Sequence, residues 1–169
     1  ALSGGKGIDD GGNIAITPGD RIPEVPQHML KLYSDYQPTR KFSLDADFSL
    51  ISASYVRGNE NNLHHPDGVY YLGPGQSPGY GVVNFGTRYR FNSHYKLFAQ
   101  INNLLDRHYY TGGQLASTPY DDSGKFVARP FPSVQFGGDT EYPIRNTTFL
   151  SPGAPITVFG GLKVSFGKS

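Results

Sequence analysis

The chain has no cysteine, no tryptophan and one methionine among its 169 residues. Without cysteine there is no disulfide framework and no thiolate metal site. An excess of one charge is missing too, since 15 Lys and Arg balance 14 Asp and Glu to leave +1. No run is dominated by basic residues, so nothing points to nucleic acid. No apolar run approaches the roughly 20 residues of a membrane-spanning helix. A membrane crossed by strands stays open, because a barrel strand needs only about 9–11 alternating residues. No leader pattern opens the chain, and Ala1 reads as a start made by processing.

What is present is punctuation and aromatic rings. The hydrophobic fraction of 37% is below the roughly 45–50% of soluble globular domains. Aromatic residues still make up 14%, all Tyr or Phe, beside 22 Gly and 13 Pro. Disordered chains have few aromatics, so short strands with long polar loops are the better account. The helical period is nearly absent, and a two-residue period predicts five strands, near 28–37, 41–57, 79–91, 95–110 and 155–166. In the second, Phe42, Leu44, Ala46, Phe48 and Leu50 oppose Ser43, Asp45, Asp47 and Ser49. The phase then shifts at Ile51, Ala53 and Tyr55, as at a bulge.

Soluble sandwiches alternate as well, so the connections have to decide. Pro38-Thr39-Arg40 and Asn92-Ser93-His94 are tight turns, whereas residues 58–79 and 111–153 are long links and 1–27 lead in. Short and long connections alternate strictly. That asymmetry belongs to outer-membrane barrels, with short periplasmic turns and long extracellular loops. Tyr36, Phe42, Tyr89, Phe91, Tyr95 and Phe166 sit at the short-turn ends, and Tyr55, Tyr80, Tyr109 and Tyr110 toward the other ends. Two such bands suit two membrane interfaces. Arg88 at mid-depth in lipid would cost about 2–4 kcal/mol, so the charged face is expected to line a lumen. There Asp45 or Asp47 is expected to pair with Arg88 or Arg90. The predicted class is therefore all-β, an antiparallel up-and-down transmembrane barrel segment of about five strands.

Several stretches carry a resemblance. Residues Asp20 to His28 read DRIPEVPQH, Gly79 to Tyr89 read GYGVVNFGTRY, and Gln100 to Tyr110 read QINNLLDRHYY. The last is similar to the NNLFD-x-x-Y signature of TonB-dependent outer-membrane receptors, with Asn102, Asn103, Leu104, Asp106 and Tyr109 as its matching residues. The strand ending at Phe166 resembles the family's C-terminal signal of alternating apolar residues closed by an aromatic. Leu105 stands where Phe is common, and Gly167-Lys168-Ser169 follow the aromatic that usually ends the chain. The resemblance implies about 22 strands around a plugged lumen, in the bacterial outer membrane. Its implied partners are the rest of the barrel, a plug domain absent from this chain, the TonB system reached through that plug, and lipid or lipopolysaccharide.

Candidate ligand contacts lie on the loops, where binding residues gather. In residues 58–79 they are His64, His65, Tyr70 and Tyr71; in 111–153 they are Tyr120, Arg129 and Arg145. His64-His65-Pro66-Asp67 lacks a third ligand at metal spacing, so exposed loop histidines are the plainer account. Gly167-Lys168-Ser169 is rejected as a P-loop end, because Leu162 occupies the required glycine position. No spacing of Ser, His and Asp nominates a nucleophile and base, and no enzyme or cofactor is expected. The expected function is uptake of a scarce nutrient such as a ferric siderophore or cobalamin. The alternative is a structural or accessory subunit, a truncated barrel-like chain held by a larger membrane complex. A soluble carbohydrate-binding sandwich comes third.

Overall fold

Alternating segments joined by tight turns pair with their sequence neighbours, and the computed structural model follows that rule. It describes residues 14–66, 72–118, 120, 124–125 and 145–167. Its strands are β1 (Met29–Tyr36), β2 (Phe42–Ile51), β3 (Ser54–Tyr55), β4 (Gln76–Ser77), β5 (Tyr80–Arg90), β6 (Tyr95–Asn102), β7 (Tyr110–Thr118), β8 (Arg145–Pro152) and β9 (Thr157–Val164). They divide between two units. A sheet unit comprises His28–Ser52, Gly79–Tyr109 and Pro152–Ser169; a loop unit comprises Ala1–Gln27, Ala53–Pro78 and Tyr110–Ser151.

The sheet unit is five-stranded in the order β1-β2-β5-β6-β9, and every neighbouring pair is antiparallel. Side chains close its two short turns. The Thr39 hydroxyl accepts from the Lys41 and Phe42 amides at 3.3 and 3.0 Å. The Asn92 carboxamide oxygen accepts from the His94 and Tyr95 amides at 2.8 and 3.0 Å, an Asx turn that fixes the hairpin.

Register sorts the residues into two faces. Ala46, Phe85, Ile101 and Val158 form one cross-strand row, and Phe42, Tyr89, Leu97 and Leu162 another on the same face. The opposite face carries Asp35, Asp45, Gly86 and Gln100 in one row. None of Leu44, Phe85 and Val164 is buried, and Val158 is 67% exposed. In water such a face forfeits about 25 cal/mol for each Å² left uncovered; against acyl chains that penalty disappears. The apolar face is therefore the one suited to acyl chains. β1 and β9 each have one neighbour, so these strands are part of a wall and do not close on themselves.

On the charged face, Arg88 reaches Asp35 at 2.7 Å and Asp45 at 3.4 Å. Asp47 instead accepts from the Asn84 carboxamide at 2.8 Å, and Arg90 donates to the Arg40 carbonyl. Asp35 and Asp45 stand directly opposite each other, so the guanidinium is what makes that like-charge pair tolerable. Gly86 leaves room beside it, and a Cβ there would push the Asp45 carboxylate aside. Arg88→Met is expected to cost about 1 kcal/mol, since the groups are half exposed. A urea-unfolding midpoint of the intact barrel checks this, and Asp35→Asn in the same protein should restore part of the loss.

Two strands end sooner than the alternation predicts. β2 stops at Ile51, before the expected limit at 57. There the Ser52 hydroxyl, in place of a backbone carbonyl, accepts from the His28 amide at 3.1 Å. Ser54 and Tyr55 then pair with Ser77 and Gln76 in another sheet. β6 stops at Asn102, before the expected limit at 110, because Asn103 and Asp106 take φ of 52° and 46°, incompatible with a strand. At the short-turn end three of the expected rings do meet on the apolar face. Tyr89 lies 6.5 Å from Phe42 and 4.9 Å, edge-on, from Phe91.

Candidate functional site

The long connections have an organisation of their own. Within the loop unit, Arg57 bridges to Gln114, donating from its amide to Gly113 at 3.1 Å and accepting from Leu115 at 2.8 Å. That contact seats Val56 (0% exposed) and Leu115 (1%) as a small core. A run of turn formers builds the rest. Asn59 donates to the Gly75 carbonyl at 3.0 Å and accepts from the His64 amide at 3.1 Å. Gly75 takes φ of 64°, and a Cβ there would strike the His64 ring. Its amide donates to the Thr148 hydroxyl at 2.9 Å.

His64 is therefore not the exposed loop histidine expected from the sequence. It is 4% exposed, with Nε2 3.0 Å from the Gly73 carbonyl. Burial requires a polar partner, and that carbonyl, nine residues away, provides one. His65 and Tyr120 are exposed. Arg145 opens β8, but its side chain lies outside the described residues, as do Tyr70, Tyr71 and Arg129. The structure thus brings His64 into the loop scaffold and assembles no cluster from the expected contacts among the described residues.

A different set of residues lines a depression of about 310 Å³ in the loop unit: Glu24, Arg57, Gly113, Gln114 and Phe149 to Ser151. The Arg57 side chain is 74% exposed and only loosely paired to Glu24, at 3.8 Å. Sequence reading passed over it because a single arginine after an apolar pair carries no pattern. The glycine-asparagine run that follows it was the available signal for a structured loop.

The Asn102–Tyr109 motif proves to be a joint in the sheet unit. Asn103, 1% exposed, donates from its carboxamide to the Arg107 and Ala154 carbonyls at 2.9 and 3.1 Å. Its side-chain oxygen accepts from the Arg107 amide at 2.9 Å, and its own amide donates to the Asn84 side chain at 2.8 Å. Leu104 donates to the Val83 carbonyl at 2.8 Å. The Asp106 carboxylate accepts from the Ile156 amide at 3.3 Å. Tyr109 lies over Gly153, where a Cβ would enter its ring, and stacks at 4.6 Å from Tyr80. The motif thereby holds three strands of the wall together at the end opposite the short turns.

The family described as TonB dependent receptor-like, beta-barrel matches residues 5–104. The chain belongs to this family. As a TonB-dependent receptor segment it is all-β, antiparallel and of the bacterial outer membrane.

Solved structures agree on the fold. The closed form of the ferric-catecholate import receptor Fiu from E. coli K12 is 20% identical over 94% of this chain and 16% of its own, at a TM-score of 0.51. The siderophore receptor PiuA from Acinetobacter baumannii is 16% identical, covering 86% of this chain and 15% of its own, at 0.52. For the ferric yersiniabactin uptake receptor FyuA from Yersinia pestis the figures are 15%, 88%, 18% and 0.52. The TonB-dependent receptor segment thus spans 15–18% of the length of these structures. No curated protein sequence matches it.

Proposed function

We propose that the receptor containing this segment takes up a scarce nutrient, a ferric siderophore or a cobalamin-like compound, captured at the outer surface. The observation that carries this reading is the loop unit. The described residues of the long connections pack into a scaffold of their own, with an open depression beside Arg57. A scaffolded loop surface is where a binding protein keeps its contacts. Arg57 supplies the chemistry, a planar cation with free donors for the carboxylate or catecholate oxygens of a chelate. The similar structures of ferric-catecholate and ferric yersiniabactin receptors support that class. In this reading a plug domain and the TonB system complete the transport cycle, lipid or lipopolysaccharide covers the apolar face, and no chemical step is catalysed.

In a strain whose only copy is Arg57→Ala, uptake of an anionic ferric chelate is expected to fall about tenfold, the effect of losing one charge-assisted pair. Radiolabelled iron uptake measures it. Unchanged iron and cobalamin uptake after deletion of the whole gene would remove the proposal.

A further inference from the structure

The charged face carries a ring that its polarity does not call for. Phe98 follows Lys96 by two residues in β6, so both side chains share that face. It stands opposite Arg88 on β5 and Gly161 on β9. Gly161 makes room for it, since a Cβ there would meet the ring. The ring lies over the glycine and is still 39% exposed. Nearer the short turns, Lys96 stands opposite both Arg90 and Lys163. The Arg90 amide donates to the Lys41 carbonyl at 2.7 Å, which extends the row to β2. All four cations are exposed. Ring and cations line one depression of about 370 Å³, and its described lining includes no Asp or Glu. The nearby carboxylates, Asp35 and Asp45, are already engaged by Arg88.

These two features ask for one ligand with two properties. Like charges directly opposite in a sheet repel, so the cations favour an anion between them. An exposed ring gains most from another ring stacked on it. Inorganic phosphate or an acidic peptide side chain would answer the cations and leave Phe98 in water. Lipid headgroups approach from the wrong side, because Leu97, Tyr89 and Val164 occupy the opposite face. An aryl anion answers both. Its ring covers Phe98 while its ionised oxygens meet Lys96 and Lys163, whose backbone positions lie about 6.7 Å further along the strands. The depression falls within the roughly 300–1,000 Å³ of small-molecule sites.

We propose that Phe98, with Lys41, Arg90, Lys96 and Lys163, forms a binding site for an aryl anion of the benzoate or catecholate type. The site narrows the nutrient to a chelate built from such groups. That narrowing rests on the uptake reading, whereas the site itself does not.

Photolabelling of the intact receptor with 4-azidosalicylate tests it. Label is expected on peptides containing Lys96, Phe98 or Lys163. Excess salicylate should suppress it, and cyclohexanecarboxylate, which has the charge without the π-face, should not. Lys96→Met with Lys163→Met should raise the salicylate concentration needed for protection about tenfold, and Phe98→Leu about fivefold. Suppression by both carboxylates alike overturns the proposal, as does an absence of label because another part of the receptor covers these strands. A Phe98→Leu receptor with a lower thermal midpoint and unchanged protection overturns it too, since the ring would then serve only to cover Gly161. Labelling is read without transport, so its failure is distinct from a failure of nutrient uptake.

Discussion

Asn103→Ala is expected to lower the unfolding free energy of the intact receptor barrel by about 3 kcal/mol. The side chain is buried and satisfies three backbone groups, two carbonyls and one amide, on both sides of the joint. Removing it leaves those groups short of partners, at about 1–3 kcal/mol for each that water cannot reach. Its left-handed backbone, φ 52°, adds about 1 kcal/mol for a residue that tolerates that region less well. Asn103→Gly isolates the first contribution, tolerating the backbone and losing the bonds, and should fall between the parent and Asn103→Ala. Asn103→Asp keeps the acceptor for the Arg107 amide but turns a carboxylate toward two carbonyl oxygens, so it should do at least as much damage as alanine. Guanidinium midpoints and heat-modified gel mobility measure the series. An Asn103→Ala barrel within about 0.5 kcal/mol of the parent would show the joint to be decorative.

Ile101→Arg is expected to be nearly as damaging, while Gln100→Arg, one residue earlier, should be almost silent. Ile101, next to last in β6, belongs to the row Ala46, Phe85, Ile101 and Val158 on the apolar face, in which Ala46 and Phe85 are mid-strand. Arginine at the bilayer midplane of a barrel costs about 2–4 kcal/mol. Gln100 lies on the charged face opposite Gly86, where a cation near Asp45 meets polar surroundings. Folding into vesicles followed by guanidinium titration compares the two. Equal losses at both positions would mean that the two faces share one environment, contrary to the lipid-and-lumen assignment.

Some of this arrangement was legible before any coordinates. Leu44 and Asp45 had to face opposite ways because successive side chains in a strand do, and the polarity of each set named its solvent. The pairing of lumenal charges was legible only as a choice. Either aspartate of β2 had either arginine of β5 within reach, and the register awarded Arg88 to Asp45 and to Asp35 while sending Asp47 to Asn84. The loops resisted more strongly. His64 looked exposed because its stretch lacks a third ligand at metal spacing, but it is buried with its ring against the Gly73 carbonyl. The Arg57 depression needs β7 and β8, which no periodicity in 111–153 announced.

Alone, the sequence determined that strands alternate, which side of each is apolar, and at which end the short turns lie. Those properties reside in residues one or two positions apart. Tertiary structure decided that Asn103 clasps Ala154, that Arg57 meets Gln114, and that Lys41, Arg90, Lys96 and Lys163 share a row. Apart from Arg90 and Lys96, which face each other across a tight turn, such partners are tens of residues apart, and only the hydrogen-bonded register and loop packing bring them together.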